Sequence, residues 1–161
     1  MPLEIERRFL VHTLAWKKLA GPPTLLQQGY LSRCQEIWTT RVRISSTEPK
    51  AWLTLKSPAQ GFANHEFEYA IPIQDAEEIL APIPNKIIKT RYKLNLPGGD
   101  WVVDCFHDKN APLMIAEVEL SKTTKNLTKP SWCKQEITGE YQWSNAALTQ
   151  TPFSERALQA Q

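Results

Sequence analysis

The chain has 161 residues, 42% of them hydrophobic and 22% charged, and a net charge of +2 from 19 basic and 17 acidic side chains. It is long enough for one domain with its own core, and its near-balance of charge argues against a general nucleic-acid binder, which carries a clear basic excess. No run approaches the roughly 20 apolar residues of a membrane span, so neither a nucleic-acid nor a membrane partner is expected.

The N-terminus opens on Pro2-Leu3-Glu4-Ile5-Glu6, without the basic and apolar regions of a signal peptide. Short runs rich in β-branched and aromatic residues then follow, mostly alternating. They predict strands over Ile5 to Val11, Thr39 to Ile44, Ala51 to Lys56, His65 to Ile71, Lys86 to Leu96, Trp101 to Phe106 and Met114 to Leu120, with a weaker one over Gln27 to Leu31. Turn-like separators lie between them, and Pro97-Gly98-Gly99-Asp100 reads as a hairpin turn. Helices are expected over Leu14 to Leu19, over Asp75 to Leu80 with Asp75 as N-cap, over Glu140 to Gln150 and over Ser154 to Ala160. Closely spaced strands of this kind predict an antiparallel barrel or sandwich. No repeat or linker splits the chain, so residues 1–161 are expected to form a single domain.

Common nucleotide cradles are missing: there is no GxxxxGK[ST] loop and no GxGxxG. His65-Glu66-Phe67-Glu68-Tyr69 has a strand pattern rather than that of a metal-binding helix, and Cys105 with His107 lacks a second ligand pair. Cys34, Cys105 and Cys133 are odd in number and widely spaced, which fits reduced thiols of a cytoplasmic protein. The six tryptophans fit core or exterior anchors better than a base-stacking groove.

The informative pattern is like charge at spacing two: Glu4 and Glu6, Arg41 and Arg43, Glu66 and Glu68, Lys89 and Arg91, Glu117 and Glu119. In a strand, residues i and i+2 share a face, so each pair sets two like charges side by side. That costs repulsion unless opposite charge faces it. A closed barrel would bring both signs to one lumen. Basic side chains from several strands would grip a multiply charged oxyanion, and clustered carboxylates would hold a hard divalent cation.

In chain order, Glu4-Ile5-Glu6-Arg7-Arg8, Gln28-Gly29-Tyr30-Leu31, Arg41-Val42-Arg43, Thr54-Leu55-Lys56-Ser57, Glu66-Phe67-Glu68, Ile88-Lys89-Thr90-Arg91-Tyr92, Asp104-Cys105-Phe106 and Glu117-Val118-Glu119 resemble the successive strands of the CYTH domain, the triphosphate tunnel metalloenzyme family. The resemblance implies an eight-stranded antiparallel barrel or tunnel with a few short helices outside. In short members the helix that plugs one side can be reduced, leaving an open cleft. It implies hydrolysis of a triphosphate, most of all inorganic tripolyphosphate, with Mg²⁺ or Mn²⁺ as cofactor. Metal ligands would be Glu4, Glu6, Asp104, Glu117 and Glu119, and triphosphate contacts Arg8, Arg41, Arg43, Lys56, Lys89 and Arg91. Glu66 and Glu68 would position a second metal or the attacking water, and Tyr30 beside Lys56 would orient or activate that water. Arg8 replaces the signature lysine, and Val102 stands where many members carry Glu. Alternatives on the same resemblance are a class IV adenylyl cyclase, a thiamine triphosphatase, or a non-catalytic polyphosphate or nucleotide binder. A homodimer is compatible with it.

Overall fold

The computed structural model describes residues 2–34, 36–121 and 126–159. The strands in chain order are β1 (Leu3–Val11), β2 (Ala20–Arg33), β3 (Thr39–Ser45), β4 (Lys50–Pro58), β5 (Ala63–Ile71), β6 (Ile87–Leu94), β7 (Asp100–Phe106), β8 (Met114–Glu119) and β9 (Cys133–Glu136). Their order in the sheet is β5-β4-β3-β2-β6-β7-β8-β1-β9, all neighbours antiparallel. The sheet closes where β1 returns to β5 through Leu3 against His65, Glu4 against Asn64 and Ile5 against Ala63. The result is an eight-stranded antiparallel barrel with β9 outside it.

Strand parity sorts the sequence into an inside and an outside. The outer face of β1, β6, β7 and β8 carries Phe9, Val11, Leu94, Trp101, Val103, Ala116 and Val118, covered by Trp16, Trp132 and Cys133. On the opposite flank α1 (Ile73–Leu80) lays Ala76 and Leu80 over Val42, Ile44 and Ala51. Gly29 lets the helix pack closely there, because a Cβ would come within 2.8 Å of the Leu80 side chain and force it to shift. One end of the barrel is apolar and filled: Leu10, Ile87, Phe106 and Ile115 pack on Ile137 and on Leu148 of α2 (Asn145–Gln150). Charge is therefore confined to the rest of the lumen. The far-end helix of the described residues is α3 (Phe153–Gln159).

The turn at Gly98 is of the kind expected, since its φ of 102° is left-handed. Several boundaries depart from expectation. The second strand runs for 14 residues rather than over Gln27 to Leu31, and its pairing shifts register between Ala20 and Pro23 and between Tyr30 and Ser32. β9 has no counterpart in the expected elements. Pro72, not Asp75, caps α1, and Asp75 lies in its first turn. The segment expected as one helix from Glu140 splits into a 3₁₀ turn at Tyr141–Trp143 and α2, because Ser144 interrupts it and caps α2 by accepting from the Ala147 N–H. Leu14 to Leu19 is a 3₁₀ turn over Ala15–Leu19. The end of the expected C-terminal helix, at Ala160, lies outside the described residues. Cys34, Cys105 and Cys133 are free, and no helix among the described residues is long and apolar enough to cross a membrane.

Candidate active site

Cross-strand register puts the charged pairs face to face. Arg8 of β1 lies opposite Glu117 of β8, Lys56 of β4 opposite Glu66 of β5, and Arg91 of β6 opposite Asp104 of β7. Glu4, Glu6, Arg8, Tyr30, Arg41, Arg43, Lys56, Glu66, Glu68, Lys89, Arg91, Glu117 and Glu119 all line one cavity of about 550 Å³. A second cavity of about 610 Å³ shares Glu4, Glu6, Arg91, Glu117 and Glu119 and opens past Lys93, Gly99 and Asp100. The lumen is thus walled by charge.

The cations differ in how far they are neutralised. Arg91 donates from Nε and Nη2 to Asp104 at 2.8 Å each. Burial alone would lower its affinity for protons, but Asp104 overrides that and holds it above the usual arginine range. Arg41 donates to Thr54 at 3.1 Å and lies 3.4 Å from Glu68. Arg43 has no carboxylate partner among the described residues; its Nε donates to the neutral Gln28 amide at 3.0 Å. Burial, reinforced by Arg41 and Arg91, pulls its pKa down to about 9. Buried guanidinium nitrogens also go unmatched at Arg8 Nη2 and Arg41 Nε. Such groups are costly to leave without an acceptor, so this wall is built for an anion.

Lys89 is fully buried and donates to Asp104 Oδ2 at 2.7 Å and to Asn145 Oδ1 at 3.1 Å. Burial lowers its pKa to about 7, with Arg91 and Arg43 contributing, despite the opposing pull of Asp104. Lys56 is the reverse case. Burial would lower it, yet Glu6, Glu4 and Glu66 outweigh burial and hold the ammonium charged above the usual lysine range. Its Nζ touches Glu4 and lies 3.7 Å from both Glu6 and Glu66.

One ammonium against three carboxylates leaves that corner net negative. Burial, then the neighbouring Glu117, raises Glu6 to about 7, and burial likewise raises Glu4. Glu117 stays ionised: burial and Asp104 push it up, but Arg8, Arg91 and Lys89 prevail. Glu119, beside Glu6 in the register, has no ion pair among the described residues. These are hard oxygen donors with an excess of negative charge, which fits a divalent cation such as Mg²⁺. No ready-made cluster of three metal-binding side chains occurs among the described residues; Lys56 stands among the carboxylates Glu4, Glu6 and Glu66.

A model of the CYTH domain matches residues 2–149. The chain belongs to the CYTH domain family. It is 37% identical to the inorganic triphosphatase of Acetivibrio thermocellus over 155 residues, which is 95% of this chain and 97% of that protein. The crystal structure of the inorganic triphosphatase NE1496 superposes with a TM-score of 0.63 at 32% identity, covering 92% of this chain and 95% of that one. The PH1012 protein of Pyrococcus horikoshii OT3 shares the fold at a TM-score of 0.61 and 16% identity, over 74% of this chain and 79% of its own.

Asp104, expected as a metal ligand, is bonded to cations of the neighbouring strand. It is fully buried and accepts three hydrogen bonds, two from Arg91 and one from Lys89. Tyr30 is also not tied to Lys56: its hydroxyl oxygen accepts from Gln28 Nε2 at 2.9 Å. Glu68 accepts from Thr54 Oγ1 at 3.0 Å and pairs with Arg41. Sequence reasoning passed over Gln28, Thr54 and Asn145. Gln28 and Thr54 share strand parity with Tyr30 and Lys56 and could have been found that way; Asn145 enters from α2 and carries no strand signal.

Proposed function

We propose that this CYTH protein hydrolyses a triphosphate, inorganic tripolyphosphate above others, with Mg²⁺ or Mn²⁺ bound in the lumen. The observation that carries the reading is the split wall: Arg43 without a counter-ion, beside unmatched N–H groups of Arg8 and Arg41, faces a carboxylate-rich corner at Glu4, Glu6 and Glu117. The names of the relatives at 37% and 32% identity support the same activity.

Arg8, Arg41, Arg43 and Arg91 would bind the phosphoryl oxygens and hold the chain extended along the lumen. Glu4, Glu6, Glu117 and Glu119 would hold the cation. When bound, it supplies Lewis-acid neutralisation of the phosphate charge. Water attacks the terminal phosphorus; the bond from that phosphorus to the bridging oxygen breaks, and orthophosphate and pyrophosphate result.

The proton-accepting role falls to Lys89 rather than to Tyr30. Lys56 is held charged by three carboxylates, whereas burial lowers Lys89 to about 7, which brings loss of its proton within reach near neutral pH. A neutral Nζ can donate its two hydrogens to Asp104 and Asn145 and offer its lone pair to a cavity water. Asp104 then acts as the counter-ion that fixes Arg91 and Lys89, not as a metal ligand. Glu66 holds Lys56 in place, and Glu68 fixes Arg41.

Phosphate release measured on tripolyphosphate, thiamine triphosphate and ATP, with cyclic AMP followed in parallel, tests the reading. Preferential turnover of tripolyphosphate is expected. Cyclic AMP from ATP, or stabilisation by tripolyphosphate with no release from any substrate, would replace it with a cyclase or a binding module.

A further inference from the structure

Gln28 is neutral, fully buried, and sits between two groups of the lumen wall. It lies directly opposite Arg43 in the register and shares its strand face with Tyr30. Its side-chain amide makes two bonds: Oε1 accepts from Arg43 Nε at 3.0 Å, and Nε2 donates to the Tyr30 hydroxyl oxygen at 2.9 Å.

The direction of both bonds is forced. A guanidinium has donors and no acceptor, so only the amide oxygen can face Arg43. The amide nitrogen, which only donates, must then face Tyr30. The phenol oxygen is thereby an acceptor toward Gln28, and its own hydrogen has to point elsewhere. Tyr30 lines the cavity and has no other hydrogen-bond partner among the described residues. The same bond holds Arg43 at Nε and leaves both of its Nη groups without a protein acceptor among the described residues.

We infer that Gln28 is a positioning residue that sets the polarity of the substrate-gripping wall: by fixing Arg43 and turning the Tyr30 O–H into the lumen, it makes Tyr30 a hydrogen-bond donor to a phosphoryl oxygen of the triphosphate. The inference rests on the triphosphatase reading above for its substrate, but the hydrogen-bond polarity itself does not. A neutral amide suits the task. A carboxylate at position 28 would accept from both neighbours, pairing with Arg43 and drawing the phenol hydrogen away from the cavity. An oriented donor lost from a phosphoryl-transfer site removes help that grows as charge develops on the reacting group.

The test compares the parent, Gln28→Glu, Tyr30→Phe and the double variant by steady-state kinetics on tripolyphosphate. Gln28→Glu should lower kcat by about a hundredfold in the parent. In the Tyr30→Phe background, where the donor is already gone, it should lower kcat by no more than about twofold. The KM increase from neutralising Arg43 should persist in both backgrounds. An equal loss of kcat in both overturns the inference, because Gln28 would then not act through Tyr30.

A second measurement needs no turnover. In ligand-free protein carrying ¹³Cζ-tyrosine, the Tyr30 resonance should move on Gln28→Glu as the phenol changes from accepting to donating. An unmoved resonance overturns the inference. If the parent releases no phosphate, the triphosphatase reading fails while this measurement still decides the role of Gln28. Should Gln28→Glu not fold, the Gln28 side-chain ¹⁵N resonances in Tyr30→Phe take its place: a shift from the parent supports the bond, and identical resonances overturn it.

Discussion

Asp104→Asn separates a structural counter-ion from a metal ligand. The native carboxylate is fully buried and accepts from Lys89 Nζ at 2.7 Å and from Arg91 Nε and Nη2 at 2.8 Å each. Removing one member of a buried ion pair costs about 3–5 kcal/mol, because the remaining charge is left uncompensated. The asparagine oxygen can still accept one of these bonds, and Glu117 lies 3.7 Å from Arg91, so the lower end, about 3 kcal/mol, is expected. For a chain of this size about 1 kcal/mol moves Tm by about 2–4 °C, giving a drop of roughly 6–12 °C. Thermal unfolding followed by circular dichroism at pH 7, without divalent cation, measures it. Burial would raise the Asp104 pKa, but Arg91 and Lys89 reverse this and depress it well below the usual carboxylate range. Its stabilising contribution is therefore present above the unfolded pKa and lost as pH falls through the folded one. The gap between parent and variant should accordingly close in strong acid. An unchanged Tm together with loss of the cation's effect on activity would refute the counter-ion argument and restore Asp104 as a ligand.

Arg43→Ala removes a buried cation that has no carboxylate partner; apo Tm should hold or rise while calorimetry shows tripolyphosphate binding weakened by at least about tenfold, and unchanged binding would place the anion elsewhere. Glu6, raised to about 7, keeps its proton in the folded state where the unfolded chain has lost it. Apo stability should therefore fall as pH rises through the window from the ordinary carboxylate range to about 7, and Glu6→Gln should flatten that slope in urea titrations across the window; an unaltered slope would show that Glu6 is not the group responsible. Lys89, lowered to about 7, should make kcat/KM climb as pH passes upward through neutrality. Lys89→Arg keeps the charge but cannot accept the proton, so kcat should drop about a hundredfold or more, and a variant with parental kcat would end the general-base assignment.

The barrel was legible because its inner and outer faces obey a period of two over most strands: Glu4, Glu6 and Arg8 inward, Phe9 and Val11 outward. β2 was largely hidden because Gly21, Pro22 and Pro23 break the alternation while the backbone still pairs with β6 after a register shift. β9 was hidden because Lys134, Gln135 and Glu136 show no apolar face; it is held to β1 by backbone pairing of Phe9 with Glu136 and Val11 with Cys133. For the site, parity predicted which side chains enter the lumen but not how they pair there. Asp104 looked like one more carboxylate until the register set Arg91 directly across from it. Lys56 and Lys89 are the same residue type, and only the three carboxylates around one and the depth of burial of the other give them opposite proton affinities. Gln28 escaped a search for charge because its value lies in having none.

The central claim is cation-dependent cleavage of a triphosphate held between the arginine wall and the carboxylate corner. The most direct measurement is ³¹P NMR of inorganic tripolyphosphate incubated with EDTA-treated protein, before and after addition of Mg²⁺ or Mn²⁺. No change is expected in EDTA and, on adding the cation, orthophosphate and pyrophosphate should appear together in equal amounts. Undiminished cleavage in EDTA, or intact tripolyphosphate after both cations, would contradict it.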